Sequence, residues 1–181
     1  MMSLIKKFIS GMPDENLEEY IIEFCKKYGI VQSDECYEQA AENGYLDVVK
    51  WYHENCSDKC TPWTMDGAAE NGHLSIVQWL HENCKKGCAD GCMDLAAANG
   101  HLDIVIYMHE NHKKCTTDAM DLASENGHLD VVTYLHENRT EGCTENAMDL
   151  AAENGHLDVV TYLHKNRNEG CTTDAMDRAA K

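Results

Sequence analysis

Positive charge is scarce in this sequence. Its 181 residues include 15 lysines and arginines against 32 aspartates and glutamates, which gives a formal net charge of −17. Most of such a surface repels nucleic acids and anionic membranes, because both carry negative charge. The composition therefore argues against nucleic-acid binding and against binding to a membrane.

Long apolar runs are also missing. No stretch of the sequence approaches the roughly 20 apolar residues that a membrane-spanning helix needs. The first residues, MMSLIKKFISGMPDEN, include lysines but no apolar segment followed by a small-residue cleavage site, which a secretion signal requires. We therefore expect a soluble intracellular protein of the cytoplasm.

What the sequence does contain is repetition. The segment AMDLAAENGHLDVVTYLHKN at residues 147–166 is nearly identical to AMDLASENGHLDVVTYLHEN at residues 119–138. Asn-Gly pairs mark the register, and their glycines are 28, 28, 27 and 28 residues apart, at Gly44, Gly72, Gly100, Gly127 and Gly155. Self-similarity at such a period is typical of stacked repeat proteins.

Each repeat has the pattern of two short helices. In one unit Thr144 is a suitable N-cap, alanines and a methionine follow at helical spacing, and Asn154-Gly155 supplies a left-handed helix end. A second helix with an apolar stripe then begins at His156. Helices of about ten residues are marginal in water, so neighbouring repeats must bury each other's apolar faces.

The run LAAENGHLDVV at residues 150–160, with counterparts that begin at Ala68, Leu95 and Leu122, resembles an ankyrin repeat over roughly residues 34–181. The resemblance implies an all-α solenoid of helix-turn-helix units. It also implies that the first helix of each unit lines a concave side, where proteins of this family commonly bind partners.

Two departures from the ankyrin pattern are visible. The family's Thr-Pro-Leu-His opening is replaced by DAMD or NAMD, so the histidine that would tie one repeat to its neighbour becomes Asp121 or Asp149. The unit is also about five residues shorter than the usual ~33, in the stretch where ankyrin repeats carry a projecting β-hairpin. We therefore expect little or no β-hairpin.

The predicted organisation has three parts. Residues 1–31 form a degenerate N-terminal capping repeat, residues 32–171 form five ankyrin-like repeats, and residues 172–181 form a C-terminal half-repeat that caps the array. Polar end units keep a stacked array from exposing its core. We expect the chain to be a monomer.

Ten cysteines require an explanation. Five of them follow the repeat register, as expected of small buried hydrophobic residues: Cys60, Cys88, Cys115, Cys143 and Cys171. An alternative function is a metal- or thiol-based site on adjacent loops, because Cys56, Cys60, Cys84 and Cys88 have a spacing that zinc tolerates. A Cys84–Cys88 disulfide is possible under oxidation. We predict cysteines that are reduced and hold no metal.

Two columns of histidines also follow the repeat, one at the start of the second helix and one near its end: His73, His101, His128 and His156, and His53, His81, His109, His136 and His164. Packed helices stand ~10 Å apart, which is too far for neighbouring members of one column to share a metal. We interpret both columns as structural.

No pattern of a catalytic site is present. The sequence has no glycine-rich phosphate loop, because its Asn-Gly pairs are helix ends, and no single repeat places a nucleophile beside a base. We predict that the protein is not an enzyme and needs no cofactor.

One face of the first helices is strongly acidic. Seventeen positions at four-residue steps include thirteen acidic residues and no basic one. Like charges four residues apart weaken a helix by a few tenths of a kcal/mol per pair. The pattern therefore works against helix stability, and something else favours it.

We predict a non-enzymatic protein–protein interaction module, or scaffold, that binds a basic protein segment on this face. Trp63 interrupts a column of otherwise small or polar residues and is a candidate anchor. For the middle column, from Asp66 to Asp177, bonding to the neighbouring repeat is an equally good explanation. A purely architectural spacer is a further alternative. The predicted contacts are Glu42, Trp63, Asp66, Glu70, Asp94, Asp121, Glu125, Glu145, Asp149 and Glu153.

Overall fold

The computed structural model describes residues 17–28, 34–55, 60–84, 87–89 and 91–172. All regular elements in these ranges are α-helices. The predicted all-α, helix-turn-helix fold is confirmed, with no strand in the part of the chain that the structure describes. The chain divides into two units, residues 1–68 with 75–88, and residues 69–74 with 89–181.

The first unit is built around two repeats and the helix that precedes them. It contains α1 (Leu17–Tyr28), α2 (Asp34–Glu42), α3 (Leu46–Asn55), and most of α4 (Pro62–Glu70) and α5 (Leu74–Asn83). Helix α3 packs against both α1 and α2. Helix α1 lies within the predicted capping repeat, whose residues 1–16 and 29–31 are outside the described residues.

The second unit contains three further helix pairs: α6 (Cys92–Ala98) with α7 (Leu102–Glu110), α8 (Asp118–Glu125) with α9 (Leu129–Asn138), and α10 (Glu145–Glu153) with α11 (Leu157–Asn166). The first helices α6, α8 and α10 pack in series, and the second helices α7, α9 and α11 do the same. The predicted C-terminal half-repeat lies outside the described residues except for Thr172.

Small side chains let the first helices approach each other closely. Ala96, Ala123 and Ala151 are completely buried on successive first helices. Larger residues, such as Met120 and Leu135, fill the space within and between the pairs. Full burial of one such side chain contributes about 1.5–3 kcal/mol, which short helices cannot obtain alone.

The turn within each pair has the predicted left-handed glycine. Gly127 has φ 78°, and the next amide, of His128, donates to the carbonyl of Ala123 at 2.9 Å, which closes a Schellman motif. A second requirement comes from packing, because a Cβ on Gly127 would lie 2.5 Å from Nδ1 of His156 in the next repeat. Glycine is therefore required at position 127 both by the left-handed backbone conformation and by the close approach of the His156 ring.

The predicted N-cap is also present. Thr144 has extended backbone angles, and its hydroxyl accepts a hydrogen bond from the amide of Asn146 at 3.1 Å. The second helix of this pair starts at Leu157, one residue later than predicted, with His156 as its N-cap. None of the helices in the described ranges is long and apolar enough to cross a membrane.

Candidate functional site

The middle column of aspartates is buried between repeats. Asp121 on α8 accepts two hydrogen bonds from the next repeat, from the amide of Thr144 at 2.8 Å and from its hydroxyl at 2.6 Å. The same pair of bonds joins Thr116 to Asp94 and Thr172 to Asp149. We call these three contacts the Asp–Thr bridges.

Burial and hydrogen bonding have opposite effects on the pKa of Asp94 and of Asp121. Burial raises the pKa of Asp94 and Asp121 above the ordinary value, and the hydrogen bonds from Thr116 and Thr144 offset part of this increase. Each carboxylate is thus withdrawn from water and already bonded, so a basic partner could reach it only by breaking the bridge.

The sequence left two explanations open for the middle column, partner binding and bonding to the neighbouring repeat. The position of these aspartates favours bonding to the neighbouring repeat. Asp94, Asp121 and Asp149 are 6% exposed and bond to the neighbouring repeat, and Asp66 is 4% exposed. Since a partner-binding carboxylate must be accessible, we exclude these four predicted contacts from the candidate binding surface.

The solvent-facing stripe of the first helices lies beside the predicted column. On α8, Asp118 is exposed and Leu122 and Glu125 are partly exposed, at spacings of four and three that keep them on one face. Helices α6 and α10 repeat the stripe with Leu95 and Ala98, and with Asn146, Leu150 and Glu153. Sequence reasoning missed the leucines because it followed a strict four-residue step.

We define the acidic–leucine face as the accessible acidic residues and half-buried leucines of the first helices in the second unit: Glu70, Leu95, Asp118, Leu122, Glu125, Glu145, Leu150 and Glu153. Helices α6, α8 and α10 lie side by side. Within the second unit, the backbone carbonyl of Glu70 lies 3.0 Å from Nε2 of His101. The face is therefore continuous along α6, α8 and α10.

The acidic residues of this face differ in their effect on their own helices: Asp118 and Glu145 lie in first turns, where the helix dipole favours them. Glu125 and Glu153 are the last residues of α8 and α10, where the helix dipole is negative and an acidic side chain is destabilising. Helices α6, α8 and α10 contain no lysine or arginine. The fields of the acidic residues add in front of the face.

Besides the buried Asp66, two predicted contacts belong to the first unit. Trp63 is 68% exposed on α4. Glu42, at the end of α2, is half-buried, accepts a hydrogen bond from Gln39 at 2.9 Å and lies against Gly67 of α4. The structure thus leaves Trp63 open to solvent, whereas Glu42 is largely engaged within its own unit.

A second set of contacts joins the repeats on the side of the second helices. Arg139, which follows α9, places Nη1 3.3 Å from Nδ1 of His109 in the preceding repeat and forms an ion pair of 2.5 Å with Glu141. The same guanidinium lies near the Cys115 thiol. Arg167 repeats the arrangement with His136, Glu169 and Cys143. Sequence reasoning did not identify these arginines.

A cysteine takes the place of the arginine in the first unit. Cys84 follows α5 as Arg139 follows α9, and it forms a disulfide with Cys60, with the two Cα atoms 6.2 Å apart. This corrects the expectation of reduced cysteines for this pair and replaces the Cys84–Cys88 alternative. The reason is tertiary, because stacking brings the residue after a second helix onto the cysteine of the preceding loop.

Among the described residues, the other thiols give no sign of a reactive or metal-binding centre. Burial raises the pKa of Cys143 to about 11, and the neighbouring Arg167 only partly offsets it, so the thiolate is rare at neutral pH. Within the described ranges, no three histidine, cysteine or acidic residues are grouped so that they could hold a metal ion. Cys56 lies outside the described residues.

Several histidines of both columns make structural contacts. The rings of His128 and His156 pack over the glycines of the preceding turns, and the ring of His109 stands edge-on to Tyr134 with centroids 5.9 Å apart. Two open hollows of about 750 Å³ lie along α9 and α11. Neither is lined by a serine, cysteine or histidine.

Comparison with known proteins agrees with the geometry. A family model described as ankyrin repeats, in three copies, matches residues 38–119 and again residues 93–177. The two matches together span residues 38–177, which is more than half of the chain. No curated protein matches the chain.

Proposed function

Since the chain belongs to the ankyrin-repeat family, we propose that it binds a basic segment of a partner protein on the acidic–leucine face. Ankyrin repeats are generally protein–protein interaction modules, and the family is typically non-enzymatic. The proposal adds the surface and the chemistry of the partner to this general role. It assigns the protein no catalytic activity and no cofactor.

One observation supports the proposal above the others. The accessible Glu125 ends α8 at the position where the helix dipole opposes its charge, and α8 itself contains no basic residue. Such a placement costs about 0.3–1 kcal/mol per charge at an exposed site. A basic partner offsets this cost, whereas a surface selected only for solubility could carry its charge elsewhere.

The leucines refine the chemistry of the partner. Leu95, Leu122 and Leu150 are partly exposed between the acidic residues, so the segment that covers them needs apolar side chains as well as basic ones. First helices stand ~10 Å apart, and an extended chain rises about 3.3 Å per residue. An extended partner would therefore meet an equivalent position once in about three residues.

The experiment uses a synthetic peptide in which leucine recurs every third residue and lysine fills the other positions, with a glutamine-for-lysine peptide as its control. The reversal variant Glu125→Lys/Glu153→Lys is compared with Glu110→Lys/Glu137→Lys. The latter makes the same charge change at exposed positions of the second helices α7 and α9.

We expect the first-helix reversal to slow association of the lysine peptide roughly tenfold at low salt and to change dissociation less. Raising the ionic strength to about 0.15 M should reduce the difference, because charges are then screened beyond about 8 Å. Equal slowing by the second-helix reversal would mean that net charge alone was measured. If the lysine peptide binds no better than the glutamine peptide, the architectural spacer is the better explanation.

Trp63 is a separate candidate contact on the first unit. Its exposed indole is the kind of side chain that anchors a partner. With an identified natural partner, Trp63→Ala should speed dissociation, and an unchanged dissociation rate would remove this residue from the proposal.

A further inference from the structure

In the second unit, the arginine after a second helix lies near the cysteine and histidine of the preceding repeat. The same arrangement explains why Cys60 and Cys84 meet in the first unit. Arg139 lies 24 residues after Cys115 and 30 after His109; its Nη1 is 3.3 Å from Nδ1 of His109, and its guanidinium lies near the Cys115 thiol. Arg167 has the same relation to Cys143 and His136, at separations of 24 and 31 residues. The stacking of repeats thus brings the residue after a second helix onto the cysteine and histidine of the preceding repeat.

In the first unit the same three positions hold two thiols and an imidazole. Cys84 lies 24 residues after Cys60 and 31 after His53, and its sulfur is 4.0 Å from Nδ1 of His53. The Cα atoms of Cys60 and Cys84 are 6.2 Å apart, within the range that a disulfide needs. The repeat geometry therefore brings these two thiols together for the same reason that it brings Arg139 to Cys115.

We propose that Cys60 and Cys84 form a reversible, redox-sensitive cross-link that locks the segment before α4 to the end of α5. Two cysteines occupy these equivalent positions at Cys60 and Cys84, but not in the repeats of the second unit. The equivalent residues in the second unit are a thiol and a guanidinium, which cannot be oxidised to a disulfide. The proposal concerns the first unit alone and does not depend on the partner-binding face.

The chemistry requires a two-electron oxidant, and hydrogen peroxide is small enough for sites where each cysteine is 7% exposed. The Cys84 thiol gives its proton to His53, and the thiolate sulfur attacks one peroxide oxygen, which forms a sulfenic acid and releases hydroxide. The Cys60 sulfur then attacks the Cys84 sulfur, and the sulfenic oxygen leaves as water. In sum, two thiols and one peroxide become one disulfide and two waters, and a dithiol reverses the reaction by exchange.

The cross-link should restrict opening of the first unit. Closing a loop across a sequence separation of 24 residues lowers the opening equilibrium by up to roughly 300-fold in the chain-entropy view. Amide hydrogen exchange in α4 and α5 should therefore slow on oxidation. Exchange in α8 and α9 should not change, because Arg139 occupies the equivalent position there, and these helices are an internal control.

The test oxidises the fully reduced chain with a small excess of hydrogen peroxide, alkylates the remaining thiols and maps the peptides by mass spectrometry. We expect the Cys60 and Cys84 peptides to be joined with the loss of two hydrogens, and a dithiol to restore both thiols. Peptides joined through Cys88 or Cys56 instead, or Cys60 and Cys84 alkylated as fully as the exposed Cys171, would overturn the proposal.

Three variants complete the test. Cys84→Ser should abolish both the cross-link and the slowing of exchange, whereas Cys143→Ser, in the same register as Cys60, should leave both intact. Cys84→Arg introduces the residue found at the equivalent positions 139 and 167, and it serves if the serine variant does not fold. Redox-dependent exchange that persists in either Cys84 variant would contradict the assignment. His53→Gln should slow peroxide-driven cross-linking without changing the pairing, and an unchanged rate would remove the histidine from the chemistry.

Discussion

Replacing Asp121 with alanine tests whether the Asp–Thr bridges hold adjacent repeats together. The substitution removes two hydrogen bonds to Thr144, of 2.8 and 2.6 Å. A hydrogen bond to a charged group contributes about 1.5–3 kcal/mol, and a donor left without an acceptor costs about 1–3 kcal/mol. The substitution also removes the cost of burying a carboxylate, the same burial that raises the pKa of Asp121, and this offsets part of the loss. We therefore expect the free energy of unfolding to fall by about 2–3 kcal/mol.

The measurement is urea unfolding of the intact chain, followed by far-ultraviolet circular dichroism. Asp118→Ala is the matched control, because Asp118 is an exposed acidic residue on the same helix, and its loss should cost no more than about 0.5 kcal/mol. Repeat arrays can lose cooperativity, so amide exchange in α8 and α10 should also quicken in the Asp121 variant. If Asp121→Ala is no less stable than Asp118→Ala, the bridges are not what joins the repeats.

Two further predictions concern the same unit. Gly127 and Gly155 share φ 78°, but a Cβ on Gly127 would lie 2.5 Å from a histidine ring, whereas one on Gly155 would meet no other part of the described chain within 4 Å. Gly127→Ala should therefore lower the free energy of unfolding by about 1–3 kcal/mol more than Gly155→Ala, and equal thermal stabilities would contradict the packing reason for this glycine. The Cys143 thiol, with its pKa raised to about 11 from 9.0, should react with iodoacetamide at least about 100-fold more slowly than an exposed thiol of ordinary pKa near pH 8. Labelling as fast as that of the exposed Cys171 would show that burial does not protect it.

The sequence alone predicts the helices and their ends, because the requirements are local. Asn154-Gly155 ends α10, since glycine adopts the left-handed conformation at little cost. Thr144 begins that helix by accepting the amide hydrogen of Asn146, a residue two positions away. The period of the repeat and the spacing of its alanines and methionines also predict a stacked array, because such an array needs the same apolar face in every unit, and the run LAAENGHLDVV carries the resemblance to ankyrin repeats.

Only the tertiary structure decides which acidic residues are accessible. Asp121 and Glu125 lie four residues apart on α8, yet Asp121 is buried against Thr144 while Glu125 is partly exposed. The two residues have the same charge and belong to the same four-residue step, and burial depends on which side the next repeat covers. The leucines between the acidic residues were missed because a strict four-residue step passes over them.

The same limit applies to the cysteines. Cys60 follows the repeat register like the other column cysteines, whereas Cys84 does not belong to that column. The contact between Cys84 and Cys60 is visible only in the stacked repeats. A contact between residues 24 positions apart depends on how one helix pair lies on the next. Local sequence therefore determined the helix pairs and their family, and packing between pairs determined which carboxylates are bridged and which two thiols meet.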